Sequence, residues 1–279
     1  MGRMETGTTL GEFLRTRRGR LSPEDLGIAS YGARRVPGLR REELARLAGV
    51  SVTYYTRLEQ GQSHQASESV IEALARALEL SDDERGYLHN LARPRRAHPR
   101  TAAPATARHG TRQLIGSLNV PAVVVGMRTE VLAWNPLGHR LLAGHLDPDA
   151  PDRSDRRPNL TRMLFLDPHH RDLYPRWENS TSCAVASLRL AVGRHREDIE
   201  LAALVGDLAM KSEEFATLWA AHPVAEHASG PRHLRHPEVG ELTVELETLV
   251  LADEPDHRLL VYSAADESPS QAALQLLGA

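Results

Sequence analysis

The segment Leu39–Gly61, LRREELARLAGVSVTYYTRLEQG, constrains the fold more than any other stretch of the chain. In Arg40–Leu47 the apolar residues Leu44, Ala45 and Leu47 recur at helical spacing, and Glu42, Glu43 and Arg46 take the outer face. Glu42 and Glu43 fall in the first turn, where negative charge suits the helix dipole. In the following Ala48-Gly49-Val50-Ser51, Gly49 admits the positive φ of a sharp helix end, Val50 supplies an apolar plug, and Ser51 is a good N-cap. The spacing then predicts a second helix over Val52–Gln60, with Tyr55 and Leu58 buried and Gly61 ending it. Two short helices joined by a glycine-containing turn make a helix-turn-helix.

In such a unit the second helix enters the major groove and presents its N-terminal residues to base edges. Those residues are Ser51, Val52, Thr53, Thr56 and Arg57. Arg57 can bind a guanine bidentately, Thr53 and Thr56 can bond a base or a phosphate, and Val52 can touch a thymine methyl. Arg40 and Arg41 open the first helix of the pair, where phosphate contacts are expected, and Gln62 follows the motif near the DNA backbone. Tyr54 fits either a DNA contact or the core. The alternative is a helical hairpin with no nucleic-acid partner.

Charge supports the first reading. Residues 1–100 hold 17 arginines against 13 acidic residues, whereas the remainder holds 17 basic against 24 acidic residues. The net charge of −3 hides this asymmetry, which is the pattern of a nucleic-acid module joined to something else. A length of 279 residues suits two domains better than one. Cys183 is the only cysteine, so no internal disulfide forms, which fits a reducing cytoplasm. There is no apolar signal core and no apolar run long enough to span a membrane, so the expected setting is cytoplasmic, with no membrane partner.

Further helices are expected around the motif. Leu10–Arg18 precedes it, followed by a Ser22-Pro23-Glu24-Asp25 turn signal and a basic loop over Gly27–Gly38 that carries Arg34 and Arg35. Ser67–Leu78 follows it as an amphipathic helix, and Ser81-Asp82-Asp83-Glu84 caps another that buries Tyr87, Leu88 and Leu91. Residues 1–93 therefore read as a compact all-α domain. Residues 94–110, with Pro94, Pro99 and Pro104 and no apolar period, read as a linker.

Residues 111–279 read as a second domain. A short helix at Thr111–Leu118 leads to a hairpin of Pro121–Val125 and Val131–Trp134. Helices follow at Asn135–Leu142, Asn159–Phe165, Asp167–Tyr174, Trp177–Val192, Glu197–Ala209 and Ser212–Ala220, the fourth carrying small side chains at Ala184, Ser187 and Ala191. Strands are expected at Val224–Ala228, His233–His236, Glu241–Leu251 and His257–Ala264, then a helical turn or two at Gln271–Leu277. Leu242, Val244 and Leu246 alternate with Thr243, Glu245 and Glu247, the mark of a half-exposed antiparallel strand. This is an α+β plan, an antiparallel sheet covered on one side.

Two resemblances sharpen the reading. The spacing of Leu44-Ala45, Gly49-Val50-Ser51, Tyr55, Leu58-Glu59 and Gly61 resembles the helix-turn-helix family of phage repressors and Cro, a lambda-repressor-like, XRE-type fold. The longer string PGLRREELARLAGVSVTYYTRLEQG is similar to actinobacterial regulators of the MmyB-like group. VLAWNPLGHRLL (131–142), EEFATLWAAHPV (213–224) and RHPEVGELTVELETL (235–249) resemble the PAS-like ligand-binding domain of that group. The resemblance implies a sensor of a small apolar ligand, with a fatty acid as the best-known suggestion.

An acidic ligand needs a cation or amide donors, and Arg189, Arg194, His236 and Asn135 are the candidates, with Trp134, Phe215 and Trp219 as apolar wall. Each has an ordinary structural reading: Asn135 can cap the helix after Trp134, His236 can satisfy a turn before Pro237, and the aromatics can be core. No Walker loop, GxSxG elbow or HExxH occurs, and the fourteen histidines lack the cysteine or carboxylate spacing of a metal site, so no catalytic residue, metal or cofactor is assigned. The expected function is a ligand-responsive regulator that binds double-stranded DNA as a homodimer on a palindromic site. Two alternatives stand beside it: a regulator whose second domain only dimerises or binds a partner protein, and an enzyme with a DNA-binding appendage.

Overall fold

In the computed structural model, residues 10–24, 26–27, 38–62, 66–92, 106–154, 156–195, 197–221 and 229–279 are described. The basic residues Arg34 and Arg35, most of the Pro-rich stretch and the strand expected at Val224–Ala228 lie outside them.

The first domain is built from α1 (Leu10–Arg20), α2 (Arg41–Leu47), α3 (Val52–Glu59), α4 (Glu68–Ala77) and α5 (Asp82–Ala92). Their boundaries follow local chemistry. The Ser51 hydroxyl accepts from Tyr54 N at 3.2 Å, and the Ser67 hydroxyl from Val70 N at 3.4 Å. Gly49 takes φ +67 between α2 and α3, a conformation that a side chain would strain. Phe13, Leu14, Leu44, Tyr55, Leu58, Ile71, Leu74 and Leu88 form the core. Leu47, expected on the buried stripe, is 44% exposed; with two turns in α2, Leu44, Ala45 and Ala48 fill the inner face instead.

The second domain begins with α6 (His109–Gly116), the helix expected at Thr111–Leu118, which starts two residues inside the expected linker; Ala107 before it is already buried. β1 (Ala122–Val125) and β2 (Val131–Trp134) then form the hairpin. Asn135, Asn159 and Asp167 cap α7 (Pro136–Ala143), α8 (Leu160–Leu166) and α9 (Pro168–Leu173), two of which carry proline in the first turn. The long α10 (Trp177–Arg194) leads to α11 (Ile199–Lys211) and α12 (Glu213–Ala220). β3 (Gly230–His236), β4 (Gly240–Leu251), β5 (Glu254–Ser263) and α13 (Pro269–Gly278) close the chain.

The five strands make one antiparallel sheet in the order β2-β1-β5-β4-β3. Alternation sorts its faces. Val123, Val125, Leu234, Leu242, Val244 and Tyr262 point inward, onto Leu141, Leu142, Leu274 and Leu277 of α7 and α13. Ala122, Val124 and Leu259 point outward with Leu132 and are covered by Ile115 of α6, whereas Glu241, Thr243 and Glu245 on the same face of β4 are exposed. A separate apolar cluster joins Val185 and Leu188 of α10 to Leu204, Leu208 and Phe215 of α11 and α12.

Candidate functional site

The side of α3 expected to face the groove is open. Ser51, Val52, Thr53 and Arg57 are exposed, Thr56 is half-buried, and Gln62 beyond the helix is exposed. Among the described residues Arg57 makes no ion pair, so its guanidinium is available for a base edge. Tyr54 packs partly against the core, which favours the structural of its two readings. Arg40 and Arg41 border a cleft of about 410 Å3 with Val52 and Thr56, and so flank the N-terminus of α3.

Behind that face lies a buried ion cluster that the sequence reading missed. The Glu59 side chain, fully buried at the end of α3, accepts two bonds from Arg18, Nε and Nη2 each at 2.9 Å. Arg41 donates to it through Nε at 3.0 Å. Burial works against the Glu59 charge, but the bonds from Arg18 and Arg41 outweigh it and hold the carboxyl below the usual carboxylate range. Arg41 is thus oriented by Glu59, with a side chain still 41% exposed.

The second domain holds a cavity of about 180 Å3 between the inner face of the sheet and α8, α9 and α10. Leu142, Leu160, Leu164, Leu246 and Leu260 make its apolar wall. Ser180, Cys183, Ala184, Ser187 and Leu190 line it from α10, at helical spacing along one stripe. The small side chains noted on this helix are what leave the space open. Arg232 of β3 and Arg258 of β5 also line it, with Tyr174, Tyr262 and His170. Burial raises the Tyr174 hydroxyl to about 12 and lifts Tyr262 well above its ordinary value, while the Arg232 charge acts against both shifts. Burial pushes His170 down to about 4, which keeps its ring neutral at pH 7.

None of the seven residues expected to touch a ligand lines this cavity. Asn135 is a buried joint: its Oδ1 accepts from Ala122 N at 3.0 Å and Gly138 N at 2.7 Å, and its Nδ2 donates to Val120 O at 2.8 Å. His236 donates from Nε2 to Arg140 O at 3.0 Å and accepts at Nδ1 from Glu238 N. Trp134 donates to Pro148 O at 2.7 Å. Arg194 is exposed in the last turn of α10. Arg189, Phe215 and Trp219 do come together, but behind the cavity: the Arg189 guanidinium stacks 3.9 Å from the Trp219 ring centre and donates to the Trp219 carbonyl, and Phe215 stacks on Trp219. Arg232 and Arg258 could have been found from strand alternation, since Arg232 shares a face with Leu234, and Arg258 with Leu260 and Tyr262.

Residues 107–277 match the family model of the MmyB-like transcription regulator ligand binding domain, and residues 9–88 match a helix-turn-helix domain. The chain belongs to the MmyB-like transcription regulators. Among curated proteins none matches the chain significantly. Both matched families are regulatory, not enzymatic, so the regulator is a DNA-binding transcription regulator with a ligand-binding domain, and the enzyme alternative falls. Among the described residues no helix is long and apolar enough to cross a membrane.

Proposed function

We propose that the regulator senses a small apolar acid, such as a fatty acid, in the cavity between α10 and the sheet. The observation that carries this is the make-up of the wall: leucines along its length, with two guanidiniums and two tyrosines among them. An apolar pocket with a few convergent polar groups is the usual form of a small-molecule site. Arg232, in the same cavity wall as Tyr174 and Tyr262, is the anchor for a carboxylate, and Arg258 is a second cation for the same class of ligand.

The DNA contacts belong to Ser51, Val52, Thr53, Thr56 and Arg57 on the groove face, and to Arg40, Arg41 and Gln62 on the phosphates. One module reads few base pairs, so the working form is a homodimer on a palindromic operator. Native mass spectrometry of the purified protein, followed by lipid extraction, tests both parts. A dimer retaining an apolar acid, lost in Arg232→Ala, is the expected result. A dimer that takes up no added long-chain acid would leave the second domain a dimerisation or partner-binding unit.

A further inference from the structure

Helix α10 belongs to two structures at once. One stripe, Ser180, Cys183, Ala184, Ser187 and Leu190, walls the cavity. Its C-terminal end is docked on the DNA-binding domain. Leu190, 4% exposed, is part of the same apolar cluster as Phe13, Leu88 and Leu91 of that domain. Gly193 meets α5 so closely that an added Cβ would lie 2.4 Å from a ring carbon of Tyr87. Arg20, at the end of α1, donates to the carbonyl of Ala221 after α12, a second tie between the domains.

The joint is tightly packed and holds buried charge. Arg189 is wholly buried with its guanidinium stacked on Trp219, and Arg17 of α1 is itself buried and paired with Glu84 at 2.7 Å. The docked surface uses α1 and α5, whereas Ser51, Val52, Thr53 and Arg57 of the groove face remain exposed. Docking therefore sets where the recognition helix points without covering it.

From this geometry we infer that Leu190 is the mechanical link between sites: a ligand in the cavity braces α10 and tightens docking of the DNA-binding domain on it. The inference rests on the cavity being a ligand site, the reading given above.

Cys183, the only cysteine of the chain, lies in the cavity wall and allows a test that needs no natural ligand. Decyl methanethiosulfonate would transfer its decylthio group to the Cys183 sulfur, releasing methanesulfinate and placing an alkyl chain in the cavity through a reducible disulfide. Amide hydrogen exchange of the full chain is then compared with and without the label. The expected result is slower exchange both in β5 and in α5, by about fivefold or more for α5, the lower end of usual inter-site coupling, reversed by dithiothreitol. In Gly193→Ala, which lies outside the cavity lining, the label should still slow β5 but leave α5 unchanged. In that variant α5 should exchange faster than in the native chain with or without label, with α13 unaffected as the sign of an intact fold. Slowing confined to β5 in the native chain would overturn the link and leave the cavity reading standing. A labelled mass with no slowing in either element would overturn the cavity reading, and the inference with it.

Discussion

Glu59 shows how one residue serves both stability and recognition. It is an acid buried inside a basic face, and Arg18 and Arg41 converge on it from α1 and α2 while its own helix is the one proposed to enter the groove. Removing one partner of a buried pair leaves an uncompensated charge, which typically costs about 3–5 kcal/mol. Glu59→Gln keeps the shape and some hydrogen bonds, so it should destabilise the first domain by about 3 kcal/mol in chemical denaturation. Because folding lowers the Glu59 pKa, its contribution is present above the ordinary glutamate value, about 4.3, and is lost as pH falls through the lowered folded value. The native chain should lose stability across that acid window more steeply than the variant. Arg57, by contrast, is exposed and makes no ion pair among the described residues. Arg57→Ala should leave the melting temperature unchanged and weaken cognate DNA by about 1–3 kcal/mol, measured by fluorescence anisotropy against a scrambled site. Equal loss on both sequences would move Arg57 to the phosphates.

At the scale of elements, what is local was legible. Ser51, Asn159 and Asp167 announced their helices because a cap is a contact between neighbours in sequence. The alternation of β4 set its faces for the same reason. The cavity was not legible, because it is the space left between elements. Arg189 looked like a cavity cation, yet the stripe through Ser180, Cys183, Ala184 and Ser187 turns a residue two positions after Ser187 by about 200° around the helix, away from the space. Arg232 falls one residue before the strand expected at His233–His236, whereas β3 starts at Gly230, and the strand expected around Arg258 carries no assigned inner face. Asn135 makes the same point: as a cap it was legible, but its bonds to Ala122 and Val120 tie α7 to the start of β1. Asn135→Ala strands two buried amide donors and should cost about 3 kcal/mol in denaturation. Affinity for a long-chain acid should change little in the folded variant, since Asn135 lies outside the cavity. A large loss of affinity at unchanged stability would restore it as a ligand contact.

At the scale of the molecule, the question is how a cavity behind the sheet can matter to a helix that reads DNA. Filling the cavity can change operator affinity only if ligand interacts differently with the DNA-bound and free arrangements. The thermodynamics then run both ways: whatever factor the ligand applies to operator binding, the operator must apply to ligand binding. With α10 as the connection, that factor belongs to Leu190 and the Gly193–Tyr87 contact rather than to the groove residues. Titrating a fluorescent long-chain acid into the regulator with and without saturating operator, and titrating operator with and without acid, should return one factor, about 5–150-fold for ordinary allosteric coupling. Arg57→Ala should weaken operator binding and keep the factor, because it removes a contact common to both ligand states. Gly193→Ala, outside both the cavity lining and α3, should keep both intrinsic affinities within a few fold and bring the factor to one. A factor that survives Gly193→Ala would mean that the domains communicate by another route, with the linker next to be tested.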